Sequence, residues 1–346
     1  MVAPVSSSSS PVPPLLSALS GERGGRLPVW FMRQAGRSLP EYREARGDTG
    51  MLDACLIPEL AAEITLQPVR RHGVDAAIFF SDIMTPLKLA GVDLDIVSGV
   101  GPVIANPVRG AEDVAALTQG RIEDLSAITE AVRITVAELG DATPLIGFAG
   151  APFTLAAYLV EGRGSRDHLA ARTLMHSDPV AWDKLLSWCA MISGEFLRAQ
   201  VDAGARAVQL FDSWAGSLSR DDYADHVARY SAAALSAVAS RVPRIHFGVG
   251  TGHLLADMAA VGIEALGVDY RTPLDTAARL APGMPLQGNI DPAMLAAGWA
   301  PLEAHVRDVV RRGHAAPAHI VNLGHGVPPA TDPSVLTDLV ALVHEL

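Results

Sequence analysis

The chain has 346 residues, 49% of them hydrophobic, and a formal net charge of -11. That length and apolar content allow a large buried core, built either as two ordinary domains or as one large α/β barrel. The acidic balance argues against a nucleic-acid binder, which carries a basic footprint, and any acidic ligand must be drawn in by local arginines rather than by the field of the whole molecule.

Met1 to Pro14 holds serines in a row from Ser6 to Ser10 and several prolines. It lacks the basic start and apolar centre of a signal peptide, so residues 1–14 are predicted as a disordered tail. From residue 15 to 346 one domain is predicted, since no linker and no repeat of 20- to 50-residue period interrupts the chain. Short apolar runs alternate with longer Ala/Leu-rich segments, the pattern of a parallel sheet with crossover helices. The predicted strands are Pro28–Met32, Ala76–Phe80, Leu145–Ala149, Ala207–Phe211, Ile245–Val249, Ala265–Asp269, Pro285–Asn289 and Ile320–Leu323. Predicted helices include Pro58–His72, Pro152–Val160, Asp221–Ser240, Thr251–Val261, Pro273–Leu280, Pro292–Arg311 and Pro333–Leu346, several opened by a proline whose missing N–H costs nothing in the first turn. Eight such units close into a (β/α)₈ barrel. An open doubly wound sheet is the alternative, weakened by the lack of a G-x-G-x-x-G after the first strand. Residues 84–143 and 161–204 interrupt the alternation and are expected as excursions around the barrel mouth.

A barrel of this kind carries its chemistry at the C-terminal ends of the strands, and polar residues collect there. Arg33 ends the first run and Arg37 follows on a loop that Gly36 lets bend, delivering two planar forks of donors. By themselves they are either an anion clamp or two solvated loop arginines. Asp82 follows a buried run, which makes it a functional carboxylate or a cap and ion-pair partner. Tyr158 is a core or a ligand tyrosine, and Ser213 a turn cap or a ligand. His325, between Gly324 and Gly326, is poorly placed to be a packing residue only. Asp212 and Asp269 are expected as structural partners, and His246, His253 and Asp269 do not have the spacing of a metal site. The 2 cysteines, Cys55 and Cys189, imply neither a disulfide framework nor a structural zinc site. They suit a cytoplasmic protein, and no run is long enough to cross a membrane.

The stretch Pro28-Val-Trp-Phe-Met-Arg-Gln-Ala-Gly-Arg-Ser-Leu-Pro-Glu-Tyr-Arg43 resembles the N-terminal signature of uroporphyrinogen decarboxylases. Gly147-Phe-Ala-Gly-Ala-Pro-Phe-Thr-Leu-Ala-Ala-Tyr158 resembles a second signature of that family, and Phe80-Ser-Asp-Ile83, Gln209-Leu-Phe-Asp-Ser-Trp-Ala-Gly216 and Asn322-Leu-Gly-His-Gly326 are shorter matches in the same order. The resemblance implies cofactor-free and metal-free decarboxylation of the four acetate arms of uroporphyrinogen III, giving coproporphyrinogen III in tetrapyrrole (haem) synthesis. It implies Asp82 and Arg37 as catalytic residues. Substrate contact is implied for Arg33, Gln34, Ala35, Gly36, Arg37, Asp82, Tyr158, Ser213 and His325. A homodimer with facing clefts is expected on the same ground, with a small-molecule substrate and neither nucleic acid nor membrane as partner. The rival within this architecture is a zinc-dependent methyl-transfer enzyme, disfavoured because neither cysteine lies at a strand end. A barrel that binds tetrapyrroles without acting on them is the other.

Overall fold

A computed structural model of the chain describes residues 11–97 and 99–346. Among the described residues there are nine strands: β1 (Ala77–Ile78), β2 (Leu94–Val97), β3 (Gly101–Ile104), β4 (Leu145–Gly150), β5 (Ala207–Asp212), β6 (Arg244–Gly248), β7 (Ala265–Gly267), β8 (Leu286–Gln287) and β9 (His319–Ile320). Seven of them form one parallel sheet in the order β1-β4-β5-β6-β7-β8-β9, each strand beside its successor. Ala77 aligns with Leu145, Ile146 with Ala207, Val208 with Arg244, and so around to Leu286 with His319. Every adjacent pair is therefore a β-crossover-β unit, and the sheet curls as such a series must.

The predicted first strand closes the curl. Val29 bridges Val321 in parallel, with Val321 N–H donating to the Pro28 carbonyl at 2.8 Å and Trp30 N–H to that of Val321 at 3.3 Å. On its other side Asp75 N–H donates to the Val29 carbonyl at 2.8 Å. Residues 28–32 thus stand between β9 and β1 as the eighth stave. Side chains from both neighbours replace ladder bonds there. Asp75 Oδ2 accepts from Val29 N–H at 2.9 Å, and Asn322 Oδ1 accepts from Met32 N–H at 2.9 Å. Within the barrel, Trp30 Nε1 donates to Gln287 Oε1 at 3.1 Å and Gln287 Nε2 to Gln209 Oε1 at 2.8 Å. Because β5 and β8 are not neighbours, that amide chain crosses the lumen.

The helices follow the expected starts closely where proline marks them. Pro58–His72 ends on Gly73 in the left-handed conformation, Pro152–Glu161 ends on Gly162 at φ 82°, and Pro333–Glu345 opens on an Asp332 cap. Other boundaries differ from expectation. The helix expected over 221–240 is two, Arg220–His226 and Ala228–Ser236, broken at Val227; the carbonyl freed at His226 takes the Trp182 indole N–H at 3.1 Å. The helix expected from Pro292 is a 3₁₀ turn, Pro292–Ala296, and a helix Trp299–Gly313, separated by Gly298 at φ 90°. Only Leu255–Ala259 of the expected 251–261 helix forms.

The two interruptions are only partly excursions. Ser126–Leu139 packs against Pro58–His72, and Pro179–Asp202 packs against β4. They are the crossover helices entering β4 and β5, so they lie on the barrel's outside. What does reach the mouth is the antiparallel hairpin β2–β3, tied to the end of Pro152–Glu161 by Ile104 N–H donating to the Gly162 carbonyl at 2.7 Å. Of the expected N-terminal tail, residues 1–10 lie outside the described residues, and Pro14 opens a helix, Pro14–Leu19, that buries Leu15, Ala18 and Leu19.

Asp75 holds this closure from its own position just before β1. It is 4% exposed, pairs with Arg26, and accepts from Val29 N–H and from His344 Nε2 at 2.8 Å on the last helix. Replacing it leaves a buried N–H and two cationic or polar groups without their acceptor. Asp75→Ala is expected to lower unfolding free energy by about 3 kcal/mol, measured by urea titration; a change under about 0.5 kcal/mol, the size of an ordinary surface substitution, would show that the carboxylate is not what seats the eighth stave.

Candidate active site

At the C-terminal end of the barrel a cleft of about 350 Å³ opens between the eighth stave, β1, β4 and β5. The volume falls at the lower end of ordinary ligand sites. Its walls are apolar, from Tyr42, Met51, Ile83, Ile96, Phe148 and Phe211, among others. Its polar lining is Arg33, Arg37, Ser81, Asp82 and Ser213.

The arginine loop begins where the stave ends. Arg33 has φ 61°, in the left-handed region uncommon for a residue with a Cβ, and Gly36 has φ 91°. The chain therefore turns twice within four residues. Gly36 also lies against the Phe80 ring, which an added Cβ would meet at 2.9 Å. Gln34 sits inside the turn and is 2% exposed. Its Oε1 accepts from Phe31 N–H at 2.9 Å and its Nε2 donates to the Ala76 carbonyl at 3.0 Å. Its side chain is thus committed to the scaffold and does not line the cleft, unlike its neighbours Arg33, Ala35, Gly36 and Arg37.

Asp82 follows β1 on a turn in which its Oδ1 accepts from Met84 N–H at 2.9 Å and its own N–H donates to Thr85 Oγ1 at 3.3 Å. Burial pushes its carboxyl above the ordinary value, while the Met84 N–H and the Arg33 guanidinium hold it back. A carboxylate oxygen is thereby left facing an apolar cleft without a cation in direct contact among the described residues.

Tyr158 is 9% exposed, on the helix after β4, and packs edge-on against Trp214 with ring centroids 5.7 Å apart. Burial and then the Asp82 charge raise its phenol, which places it in the electrostatic reach of that carboxylate. Ser213 lines the cleft directly. Strand alternation explains why: Gln209, Phe211 and Ser213 point inward while Asp212 points out. Asp212 is fully buried there, accepting from Thr154 Oγ1 at 2.9 Å, and that same hydroxyl accepts from Trp214 N–H at 3.2 Å. Asp212 and Asp269 are structural partners, the latter accepting from Gly250 N–H at 2.7 Å and from Arg271 Nη1 at 2.7 Å.

His325 does not line the cleft but lies near Arg33, which does. Removal from bulk water in its recess lowers its pKa, and the nearby Arg33 and Arg271 lower it further. Its Nδ1 accepts from Gly326 N–H at 2.7 Å, so in the neutral ring Nε2 carries the proton and is the free donor. The arrangement joins Arg33, Arg271 and His325 as one donor-rich edge. Arg271, which sequence reasoning overlooked, stacks on Tyr270 with its guanidinium 4.5 Å from the ring centroid. The apolar wall was overlooked too. Phe148 and Phe211 occupy inward positions near strand ends and were open to that inference, whereas Met51 and Ile96 come from a short helix and the inserted hairpin and carried no signal.

Cys55 and Cys189 are both fully buried, and burial pushes both thiols up, so neither offers a thiolate to a metal at the cleft.

The glycines at strand ends separate into two kinds. At Gly324 an added Cβ would meet the Tyr270 backbone N at 2.1 Å, whereas at Gly326 it would meet Arg33 Cδ at 2.5 Å, part of a flexible side chain. Gly324→Ala is expected to destabilise the fold by about 3 kcal/mol or more through overpacking, and Gly326→Ala to stay within about 1 kcal/mol while displacing Arg33. Parallel urea titrations check this; equal losses at both positions would refute the distinction.

The family model described as uroporphyrinogen decarboxylase (URO-D) matches residues 11–346. The chain is 64% identical over 335 residues to a uroporphyrinogen decarboxylase of Arthrobacter sp. (strain FB24), covering 96% of this chain and 97% of that one. It is 60% identical to a uroporphyrinogen decarboxylase of Leifsonia xyli subsp. xyli (strain CTCB07), covering 95% and 93%. Among solved structures, a methyltransferase from Methanosarcina mazei superposes with a TM-score of 0.79 at 21% identity, covering 96% of this chain and 97% of that one. A B12-independent methionine synthase from Shewanella sp. W3-18-1 superposes with a TM-score of 0.58 at 14% identity over 93% and 96%. At those identities the structural likeness speaks for the α/β barrel alone. The chain belongs to the uroporphyrinogen decarboxylase family.

Proposed function

We propose that this member of the uroporphyrinogen decarboxylase family removes CO₂ from the four acetate arms of uroporphyrinogen III, giving coproporphyrinogen III, with residues 15–346 acting as one catalytic domain. The observation that carries the reading is the Asp82 carboxylate, enclosed among apolar walls with a free oxygen toward the cleft and the Arg33–Arg37 loop on the rim above it.

The chemistry needs a place for electrons when CO₂ leaves, and the substrate supplies it. Protonation of the pyrrole α carbon, next to the ring carbon that bears the acetate, makes a cationic ring conjugated to that arm. Breaking the bond to the carboxylate then releases CO₂, and its electron pair neutralises the ring, leaving an exocyclic methylene. A second proton converts the methylene to a methyl group, and loss of the first restores the pyrrole. Each acetate thus consumes one proton overall and yields one CO₂.

Asp82 serves this sequence in two ways. Its carboxylate accepts hydrogen bonds from pyrrole N–H groups, and its charge stabilises the cationic ring in a water-poor cleft, where a fixed charge acts strongly. The burial that raises its pKa when the cleft is open to water is offset once a ring cation faces it. Arg33 and Arg37 bind the acetate and propionate arms with paired donors and orient the ring to be protonated. Arg37 also takes part in catalysis by holding the reacting carboxylate until it departs. Ser213 and the Tyr158 phenol supply further polar contacts, and the His325 Nε2–H donates to a substrate carboxylate at the mouth. Gln34 acts through the loop it braces, while Ala35 and Gly36 let the macrocycle approach the backbone.

The chain is proposed to act in the cytoplasm as a homodimer with its two clefts facing. No helix among the described residues is long and apolar enough to cross a membrane, and both cysteines are free. Sedimentation equilibrium tests the dimer, and a monomer at micromolar concentration overturns it.

Two substitutions test the assignment of roles. Because burial raises the folded-state pKa of Asp82 above its unfolded value, the folded chain keeps a proton that the unfolded chain has released between those two values. Its contribution to stability is highest below the unfolded value and is lost as pH rises through the folded one. Asp82→Asn should therefore be at least as stable as the parent at pH 7, while turnover of uroporphyrinogen falls about 10²- to 10³-fold. Near-parental turnover would sink the ring-stabilising role. Arg37→Lys keeps the charge but loses the fork, and kcat/KM is expected to fall about tenfold to a hundredfold; unchanged kinetics would place the clamp elsewhere.

A further inference from the structure

Outside the cleft, two helices bring together three side chains that the decarboxylation does not use. His176 lies in the last turn of Leu169–Ser177, and Asp222 and His226 lie four residues apart on Arg220–His226. Residues so spaced share one helix face. One ligand atom from each of the three lies within 4.8 Å of the others. His176 Nε2 is 3.2 Å from Asp222 Oδ1, and the two imidazoles meet edge to face with centroids 5.6 Å apart. None of the three lines the cleft.

From this we infer that His176, Asp222 and His226 form a binding site for a zinc-like divalent cation. Two imidazoles and a carboxylate are the ligand set that borderline-soft divalent ions take, leaving a fourth position for water. A tetrahedral zinc with bonds of about 2.0 Å holds its donors a little over 3 Å apart. The His176–Asp222 pair already has that separation, and the His226 donor lies within 4.8 Å of both. Both histidines sit at helix C-termini, where the exposed carbonyl dipoles favour a cation. The scaffold beneath is fixed: Ser219 caps the second helix by accepting from Asp222 N–H at 3.1 Å, and the Trp182 indole anchors the His226 carbonyl at 3.1 Å. Asp222 itself is largely covered, with 16% of its side chain exposed. A bound ion staples the helix that follows Pro152–Glu161 to the helix that follows β5. The second of these carries Tyr223, fully buried next to the Asp212 layer behind Ser213.

The experiment is calorimetric titration of Zn²⁺ into the intact protein, paired with thermal unfolding with and without the metal and with the visible spectrum of added Co²⁺. Expected are one Zn²⁺ per chain, a rise in Tm, and the intense ligand-field bands of four-coordinate Co²⁺. His176→Ala, Asp222→Asn and His226→Gln should each weaken Zn²⁺ binding at least about a hundredfold, more than loss of an outer-shell partner costs, and remove the rise in Tm while the metal-free unfolding transition stays cooperative. Absence of saturable binding to the parent overturns the site, as does binding that survives in the His176→Ala/His226→Ala double variant. Decarboxylase activity enters neither outcome, so failure here leaves the proposed function standing.

Discussion

The barrel closes through a stave that makes few strand-to-strand hydrogen bonds of its own. Residues 28–32 are seated by the side-chain oxygens of Asp75 and Asn322, each taking a backbone N–H that a longer strand would have given to a neighbour. Asn322 Oδ1 also takes Leu323 N–H at 2.8 Å, so one side-chain oxygen joins the stave to the strand end beside it. The consequence is positional. The chain leaves the stave at Arg33, and the angle at which it leaves is set by Gln34, whose amide spans from Phe31 to Ala76. A guanidinium on a long side chain recognises a carboxylate well only if its root is fixed. Here the root is fixed by buried amides and a carboxylate rather than by apolar packing alone, and such partners are directional.

This accounts for how a protein with a net charge of -11 presents a site for an acidic molecule. Attraction over a distance is unhelpful at that charge, and beyond about 10 Å it is screened by salt. Short-range donors remain, and Arg33 and Arg37 line the cleft from one loop, with His325 and Arg271 near Arg33 but outside that lining. The lone Asp82 carboxylate lies among apolar surfaces instead of beside these cations. Were it in contact with a guanidinium it would be neutralised by the protein before any substrate arrived. Among the described residues no guanidinium forms an ion pair with it, and burial outweighs the nearby Arg33 charge to leave its pKa raised. Under the proposed function, acidic arms toward the arginine loop and ring nitrogens toward Asp82 is the orientation that matches both sets of charges.

Much of this was legible in the residues. The staves were readable because each is a short apolar run cut off by Gly, Pro or a polar residue, Pro58–His72 because proline and glycine mark its two ends, and Pro333–Glu345 because Asp332-Pro333 marks its start. The strand-end rule located Arg33, Asp82 and Ser213, and these line one cleft. What stayed hidden depended on contacts between distant segments. Gln34 is next to Arg33 in sequence and was grouped with it, yet its amide points into the scaffold because Phe31 and Ala76 leave a donor and an acceptor unpaired within its reach. The break at Val227 is accommodated by an indole N–H 44 residues before the His226 carbonyl it meets. Ile96 reaches the cleft on a hairpin whose position is set by the end of another helix. No periodicity within a single window carries such information.

The outward layer behind β5 shows how far the constraint extends. Period-two alternation puts Ser213 in the cleft and Asp212 in the space between strand and helix. There Asp212 is fully buried with Thr154, and His246 stands 3.7 Å away, also fully buried. Thr154 belongs to the same helix as Tyr158, one turn earlier, and its hydroxyl takes the Trp214 N–H while giving its own proton to Asp212. A single hydroxyl thus couples the helix that carries Tyr158 to the turn that carries Ser213, and the Trp214 ring then packs on Tyr158 to close the loop of contacts. Ser213 in the cleft and Tyr158 on the helix after β4 are thus tied together by groups that do not line the cleft. A buried carboxylate is expensive to keep in such a layer. The turn it organises is the one that carries Ser213 to the cleft.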